Sequence, residues 1–230
     1  VAVYSLSEDG NVIEASSDTE NIEETVAGVL EEADPVSPLA REARANKTVV
    51  ICAGHDATHT GASGNGLKEE ELTFKVAQYC KQALEQYQGV TVYMDRDSIS
   101  CKYPGQNTSY CLNQRIKDAA ALGATVFVDI HFNTGGGTGA EVYYPNKSYN
   151  EGIHQEGQNL ANKILSELSA LGLTNRGAKI KDGTTGETDP NGNKDDYFTT
   201  NYLSKQYGMT GVIVEHAFLD SASDAAKIER

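Results

Sequence analysis

Three hydrophobic runs far apart in the chain each end on residues able to hold a metal or move a proton. They are Val49-Val50-Ile51-Cys52-Ala53-Gly54-His55, Val126-Phe127-Val128-Asp129-Ile130-His131 and Val212-Ile213-Val214-Glu215-His216. Imidazole is the usual nitrogen ligand of zinc, and two histidines with one carboxylate leave a fourth position open for chemistry. The run Glu69-Glu70-Glu71 can supply that carboxylate, although spacing does not choose among the three and each also serves as negative charge at a helix start. Glu215 closes an apolar run, where a carboxylate is costly unless it is paired or needed. It is the candidate general base of a hydrolytic Zn2+ centre, taking a proton from water and delivering it to the leaving group. Two histidines and a carboxylate also suit non-haem iron(II); the additional glutamate, fitted to hydrolysis, favours zinc.

The remaining polar candidates carry blander readings. His216 follows Glu215 directly, so in a strand the two side chains point to opposite faces and do not share one metal. His59 is either a substrate contact or, the favoured reading, solvated, and His154 reads as a surface residue. Asn133, two residues after His131, is placed to orient that histidine or to donate to a substrate; Glu141 is a candidate for a substrate or supporting contact, and it and His216 are the alternative bases. Arg115 divides evenly between a structural ion pair and a role supporting the ligands or the substrate. The chain has no G-x-S-x-G, P-loop or dinucleotide fingerprint, which sets aside the serine-hydrolase and nucleotide readings.

The elements that must position these residues alternate from Lys47 onward. Strands are predicted over 49–53, 90–94, 125–130, 140–144, 177–180 and 211–215, and helices over 70–87, 112–121, 157–171, 200–207 and 222–229. This rhythm predicts an α/β layered fold with a mostly parallel central sheet flanked by helices. Parallel strands ending on chemically active residues bring them to one sheet edge, where open α/β folds place their sites. Between 182 and 196 lies a polar, glycine-rich stretch long enough to be either functional or disordered.

Residues 1–46 differ from the rest. No Lys or Arg precedes Arg41, and Ser17-Asp18-Thr19-Glu20 followed by Ile22, Val26 and Leu30 predicts a short amphipathic helix within 18–33. The segment is either a linker or an arm docked on the domain at 47–230 that regulates it. The 230 residues carry a net charge of -14, which argues against nucleic acid as partner. A mean hydropathy of -0.46 and the lack of an apolar run near the roughly 20 residues of a membrane span argue against membrane insertion. Cys101 and Cys111 bracket a short loop and predict a disulfide if the chain matures outside the cell, whereas Cys52 and Cys80 read as buried free thiols.

Gly54-His55, the run from Gly61 to Glu69, Arg96-Asp97, Leu112-Asn113-Gln114-Arg115, Asp129-Ile130-His131-Phe132-Asn133, Gly139-Ala140-Glu141-Val142-Tyr143-Tyr144, Arg176-Gly177 and Val214-Glu215-His216-Ala217-Phe218 together give a resemblance. From about Lys47 to the C-terminus the chain resembles the zinc-dependent N-acetylmuramoyl-L-alanine amidases. The resemblance singles out Glu69 of the three acids, makes His55 and His131 the other metal ligands, and makes Glu215 the catalytic acid/base. It implies cleavage of the amide between the lactyl group of N-acetylmuramic acid and L-alanine in peptidoglycan. It also implies a bacterial protein, secreted or wall-associated. A monomer is expected, with wall targeting supplied by a separate binding domain. Cys52 stands where the family commonly has an acid, Asp56-Ala57 replaces Gly-Gly, and His216 replaces a small residue. The rival readings are a zinc carboxypeptidase or peptidase acting on free or wall peptides, and a wall-binding module that has lost its chemistry.

Overall fold

A run of apolar residues with no polar alternation can lie only where both faces of a strand are covered. Val49, Val50, Ile51, Cys52 and Ala53 are such a run, all buried, and they form β1 (Lys47–Ala53) at the interior of a six-stranded sheet. The computed structural model describes residues 46–184 and 188–228. The helix expected within 18–33 lies outside the described residues.

After β1 come a hairpin of β2 (Ser63–Gly64) and β3 (Leu67–Lys68), then α1 (Glu69–Leu84), β4 (Val90–Met94), α2 (Thr108–Ala121), β5 (Val126–Asn133) and β6 (Ala140–Tyr143). The order continues with α3 (Glu151–Ala170), β7 (Asn175–Lys179), α4 (Thr199–Gln206), β8 (Thr210–Phe218) and α5 (Ala222–Ile228). Across the large sheet the order is β4-β1-β5-β8-β6-β7. The first four of these strands are mutually parallel; β6 runs antiparallel to β8, and β7 is parallel to β6.

The alternation of side chains along β1 and β5 divides the core into two layers. Val49, Ile51 and Ile130 pack with Ala77 of α1 on one face. On that same face Val212 and Val214 meet Ala161 and Leu165 of α3. On the opposite face Val50, Cys52 and Phe127 pack with Ile116 and Ala119 of α2 and with Met209. The inner strands β1, β5 and β8 are thus covered on both sides, and their C-terminal ends are left as neighbours at one edge. Among the described residues no helix is long and apolar enough to cross a membrane.

The stretch at 182–196 is tied down at its C-terminal end. The buried Lys205 ammonium donates to Asp196 (2.6 Å), Ser148 (2.6 Å) and Asn146 (3.0 Å), and lies 2.9 Å from Asp195.

Candidate metal centre and active site

Parallel pairing in register fixes which side chains share a face. His131 of β5 is the register partner of Glu215 of β8, and Glu215 is in turn the partner of Glu141 of β6. Asp129, two residues before His131, falls on the same face and pairs in register with Cys52 of β1. Three neighbouring strands, β5, β8 and β6, therefore present one row of acids and an imidazole at the edge, with the Cys52 thiol of β1 beside Asp129.

His55 enters this row from the turn after β1. Its backbone takes a left-handed φ of 60°, a conformation uncommon for a residue with a side chain and typical of sites where surrounding structure enforces it. His55 Nδ1 lies 3.1 Å from the carbonyl oxygen of His59, which can only accept, so Nδ1 carries the hydrogen and Nε2 is free to ligate. Glu69 arrives from the other direction as the first residue of α1, positioned by the β2–β3 hairpin. That hairpin turns through Asn65 and Gly66, both at positive φ, the backbone that a two-residue turn requires. The Ala62 N–H donates to Glu69 Oε2 (2.7 Å) and the Phe132 N–H to Oε1 (3.0 Å), which locks the carboxylate in place.

The three groups converge. Glu69 Oε1 lies 2.9 Å from His131 Nδ1, and Oε2 lies 3.4 Å from His55 Nε2. A ligand atom from each of His55, Glu69 and His131 falls within 4.8 Å of the others. Glycine is required on both sides of the cluster. A Cβ on Gly54 would stand 2.6 Å from His131 Nε2, and one on Gly61 would stand 2.7 Å from His55 Cδ2 and collide with the Glu69 carboxylate. Of the other two acids, Glu70 is buried and accepts from the Gly61 N–H (3.3 Å), while Glu71 is exposed and pairs with Lys68 (2.9 Å).

The electrostatics call for a cation. His131 Nε2 lies 3.3 Å from Asp129 Oδ1, so both ring nitrogens face carboxylates. Burial opposes a charge on His131, but Asp129, Glu69 and Glu215 together outweigh it and push the ring well above the usual histidine value. Burial likewise works to raise Glu69, yet His131 and His55 hold it below the ordinary carboxylate range. Glu215 is different: burial lifts it to about 7, the nearby acids adding to the effect and His131 opposing it. Its Oε2 is buried and has no hydrogen-bond partner among the described residues. Two imidazoles and a carboxylate are the donor set of a catalytic metal site, and an orphaned buried carboxylate oxygen beside them suits an acid/base group, so the residues fit a metal ion.

Asn133 Nδ2 donates to Glu141 (3.3 Å), while its Oδ1 accepts from the Thr134 N–H (2.8 Å); among the described residues it makes no hydrogen bond to His131. Glu141 is further bound by Arg176 (2.7 Å), Lys179 (2.5 Å) and Tyr143 (3.1 Å), pairs that keep its carboxyl below the usual range despite burial. Arg115 is buried beneath the His55 turn. It pairs with Asp56 (2.6 Å) and Asp95 (3.3 Å) and donates to the Ala53 carbonyl (3.2 Å), so it supports the turn from behind. His216 stacks on Phe132 on the other face, with Nδ1 directed at the carbonyls of His131 and Val214.

One reading is corrected. His59 is not solvated: its ring lies 3.1 Å from Asp56 Oδ1 and 2.9 Å from the Gln106 carbonyl, and its own carbonyl holds His55. Asp129 and Asp56 were missed as parts of the site. The period-2 rule applied backward from His131 finds Asp129; nothing local announces Asp56, whose partner Arg115 is 59 residues away.

A sheet edge carrying two imidazoles, a fixed carboxylate and an elevated glutamate defines a layered α/β protein equipped for metal-assisted hydrolysis. Residues 49–230 match the N-acetylmuramoyl-L-alanine amidase family designated Amidase_3, and the chain belongs to that family. It is 29% identical over 189 residues to the sporulation-specific N-acetylmuramoyl-L-alanine amidase of Bacillus subtilis, the match covering 79% of this chain and 60% of that one. The chain thus spans less than two thirds of the length of that relative. Among solved structures, Cwp6 from Clostridium difficile superimposes with a TM-score of 0.63 at 29% identity, over 81% of this chain and 26% of that one. The catalytic domain of CwlV, an N-acetylmuramoyl-L-alanine amidase from Bacillus (Paenibacillus) polymyxa var. colistinus, gives 0.58 at 26% identity over 80% and 87%.

Proposed function

We propose that this chain hydrolyses the amide between N-acetylmuramic acid and L-alanine in peptidoglycan, with zinc held by His55, Glu69 and His131 and with Glu215 as the acid/base. The observation that carries the reading is the convergence of those three side chains, with His131 in register beside Glu215. Zinc suits two imidazoles and a carboxylate, and when bound it supplies a Lewis acid for the carbonyl and an acidified water.

The chain's own residues do the rest. Glu69, fixed by the Ala62 and Phe132 amides, keeps the two imidazoles on either side of one point. The His59 carbonyl keeps the proton of His55 on Nδ1, away from that point. In the metal-free protein burial lifts Glu215 to about 7, near the pKa at which one group both accepts and returns a proton at neutral pH. Its carboxylate takes a proton from the attacking water, and its acid form delivers that proton to the departing alanine nitrogen. The amide C–N bond breaks, leaving a lactyl carboxylate on the sugar and a free amine on the peptide.

Residues 47–230 are the catalytic unit in this reading, supported by the family match from residue 49 and by a sheet whose first strand begins at Lys47. The enzyme works as a monomer outside the cell or at the wall, where its substrate lies. The greater length of its relative leaves room for a separate wall-binding module.

Purified peptidoglycan provides the test. The wild-type chain should release peptides with new L-alanine N-termini from intact glycan, and a chelator should stop it. Glu69→Ala and His131→Ala should lose zinc by elemental analysis. Glu215→Gln should keep zinc and lose turnover by roughly 10²–10⁴-fold, the range for removing a general acid/base. Products lacking new alanine N-termini would identify a different bond. Full zinc in both ligand variants would overturn the ligand set.

A further inference from the structure

A second cluster of metal-type side chains stands behind the site. Cys101, Cys111 and His59 bring ligand atoms within 4.8 Å of one another, and the two sulfurs are 3.6 Å apart. Both cysteines are buried. Cys101 lies in the loop from β4 to α2, and Cys111 lies one turn into α2. A soft cation and a disulfide are the two chemistries such a group allows, and His59 decides between them. A histidine ligand must offer a lone pair, yet each ring nitrogen of His59 already faces an oxygen that can only accept, Asp56 on one side and the Gln106 carbonyl on the other. Two thiols without a third ligand make a poor zinc site and a ready disulfide.

We propose that Cys101 and Cys111 form a redox-dependent disulfide that braces the loop carrying the metal ligand His55. The loop containing Cys101 holds that turn from one side: the Ala57 N–H donates to the Ile99 carbonyl (2.9 Å), and His59 reaches Gln106. His59 in turn accepts from His55 Nδ1 through its carbonyl. Cys111, His55 and His131 also line one cavity of ≈ 70 Å³. A bond between Cys101 and Cys111 fastens the bracing loop to the first turns of α2, whose Arg115 holds the same turn through Asp56. The cysteines are positioning residues, acting through the loop.

The reaction balances with a small-molecule disulfide as oxidant. The two thiols give up two protons and two electrons as one S–S bond forms. The S–S bond of the oxidant breaks and takes them up as two thiols.

Mass mapping of the folded wild-type chain in an oxidised/reduced glutathione buffer tests the bond independently of any reading of the metal site. The expected result is a linked Cys101–Cys111 peptide, with Cys52 and Cys80 recovered as thiols. The oxidised chain should melt about 5–10 °C above the same chain treated with a phosphine reductant, in line with closure of a short loop. The bracing role rests on the proposed metal centre and has its own measurement, the rate at which zinc is lost to a chelator. That rate should rise several-fold on reduction of the wild type and be indifferent to the phosphine in Cys101→Ser/Cys111→Ser. Both thiols recovered free in the oxidising buffer would overturn the disulfide. A second equivalent of zinc per chain, lost in His59→Ala, would assign the cluster to a metal instead. A linked peptide with zinc loss unaffected by reduction would overturn the brace and leave the hydrolytic reading standing.

Discussion

Glu215 carries in its energetics a mark that the acid/base role proposed for it would require. A carboxyl raised to about 7 by burial binds its proton more tightly folded than unfolded. The sign follows: below the unfolded value near 4.5 both states are protonated, and the group costs nothing. As pH rises through 7 the folded protein must hold a buried charge that the unfolded chain holds in water. In the metal-free protein, Glu215→Gln should therefore be more stable than wild type above pH 7, by on the order of 2–3 kcal/mol, and equal to it near pH 4. Thermal melts of the two apo proteins from pH 4 to 8 would show the curves diverging between 4.5 and 7. Parallel curves would mean that Glu215 is not desolvated. Such a cost persists where function demands the group, and this is why a glutamate at the end of Val212-Ile213-Val214 was conspicuous in the bare sequence.

The elements were legible in proportion to their length and periodicity. β1, β5 and β8 announce themselves as apolar runs because both faces are covered, and their polar ends mark the site before any pairing is known. The β2–β3 hairpin, which delivers Glu69, escaped notice because two-residue strands have no alternation to detect, although Asn65-Gly66 is its turn signal. The antiparallel entry of β6 was equally hidden: pairing direction depends on the path taken by the chain, which no local pattern encodes. Buried ion pairs across elements are the third blind spot. Arg115 of α2 balances Asp56 and Asp95 from the β1 and β4 ends, and an arginine on a helix looks the same in sequence whether it faces water or a pair of acids. Arg115→Met would leave those two acids buried without their cation, at an expected loss on the order of 3–5 kcal/mol. Urea unfolding should show a lower midpoint with an unchanged slope; a midpoint within error of wild type would mean that other donors satisfy both acids.

At the scale of the whole molecule the negative charge is unevenly shared. The first 46 residues contain 11 acids and two bases, so nine of the fourteen net negative charges belong to them and only five to residues 47–230. The domain that the sheet and the family match define is therefore close to balanced, while its N-terminal extension is a strongly acidic segment. A wall bearing carboxylates and other anionic polymers repels such a segment over a Debye length. That length is about 30 Å at 10 mM salt and about 3 Å at 1 M. Long-range repulsion of this kind acts on encounter and retention, and leaves the fold untouched. A chain beginning at residue 46 should accordingly bind purified cell walls more tightly than the full chain at 10 mM salt, and the two should converge near 1 M. Sedimentation with the walls, using Glu215→Gln in both lengths so that the substrate survives, separates binding from turnover. Equal binding at every salt concentration would show that the extension's charge is neutralised or held away from the wall. An advantage that persists at 1 M would point to a steric block by the extension.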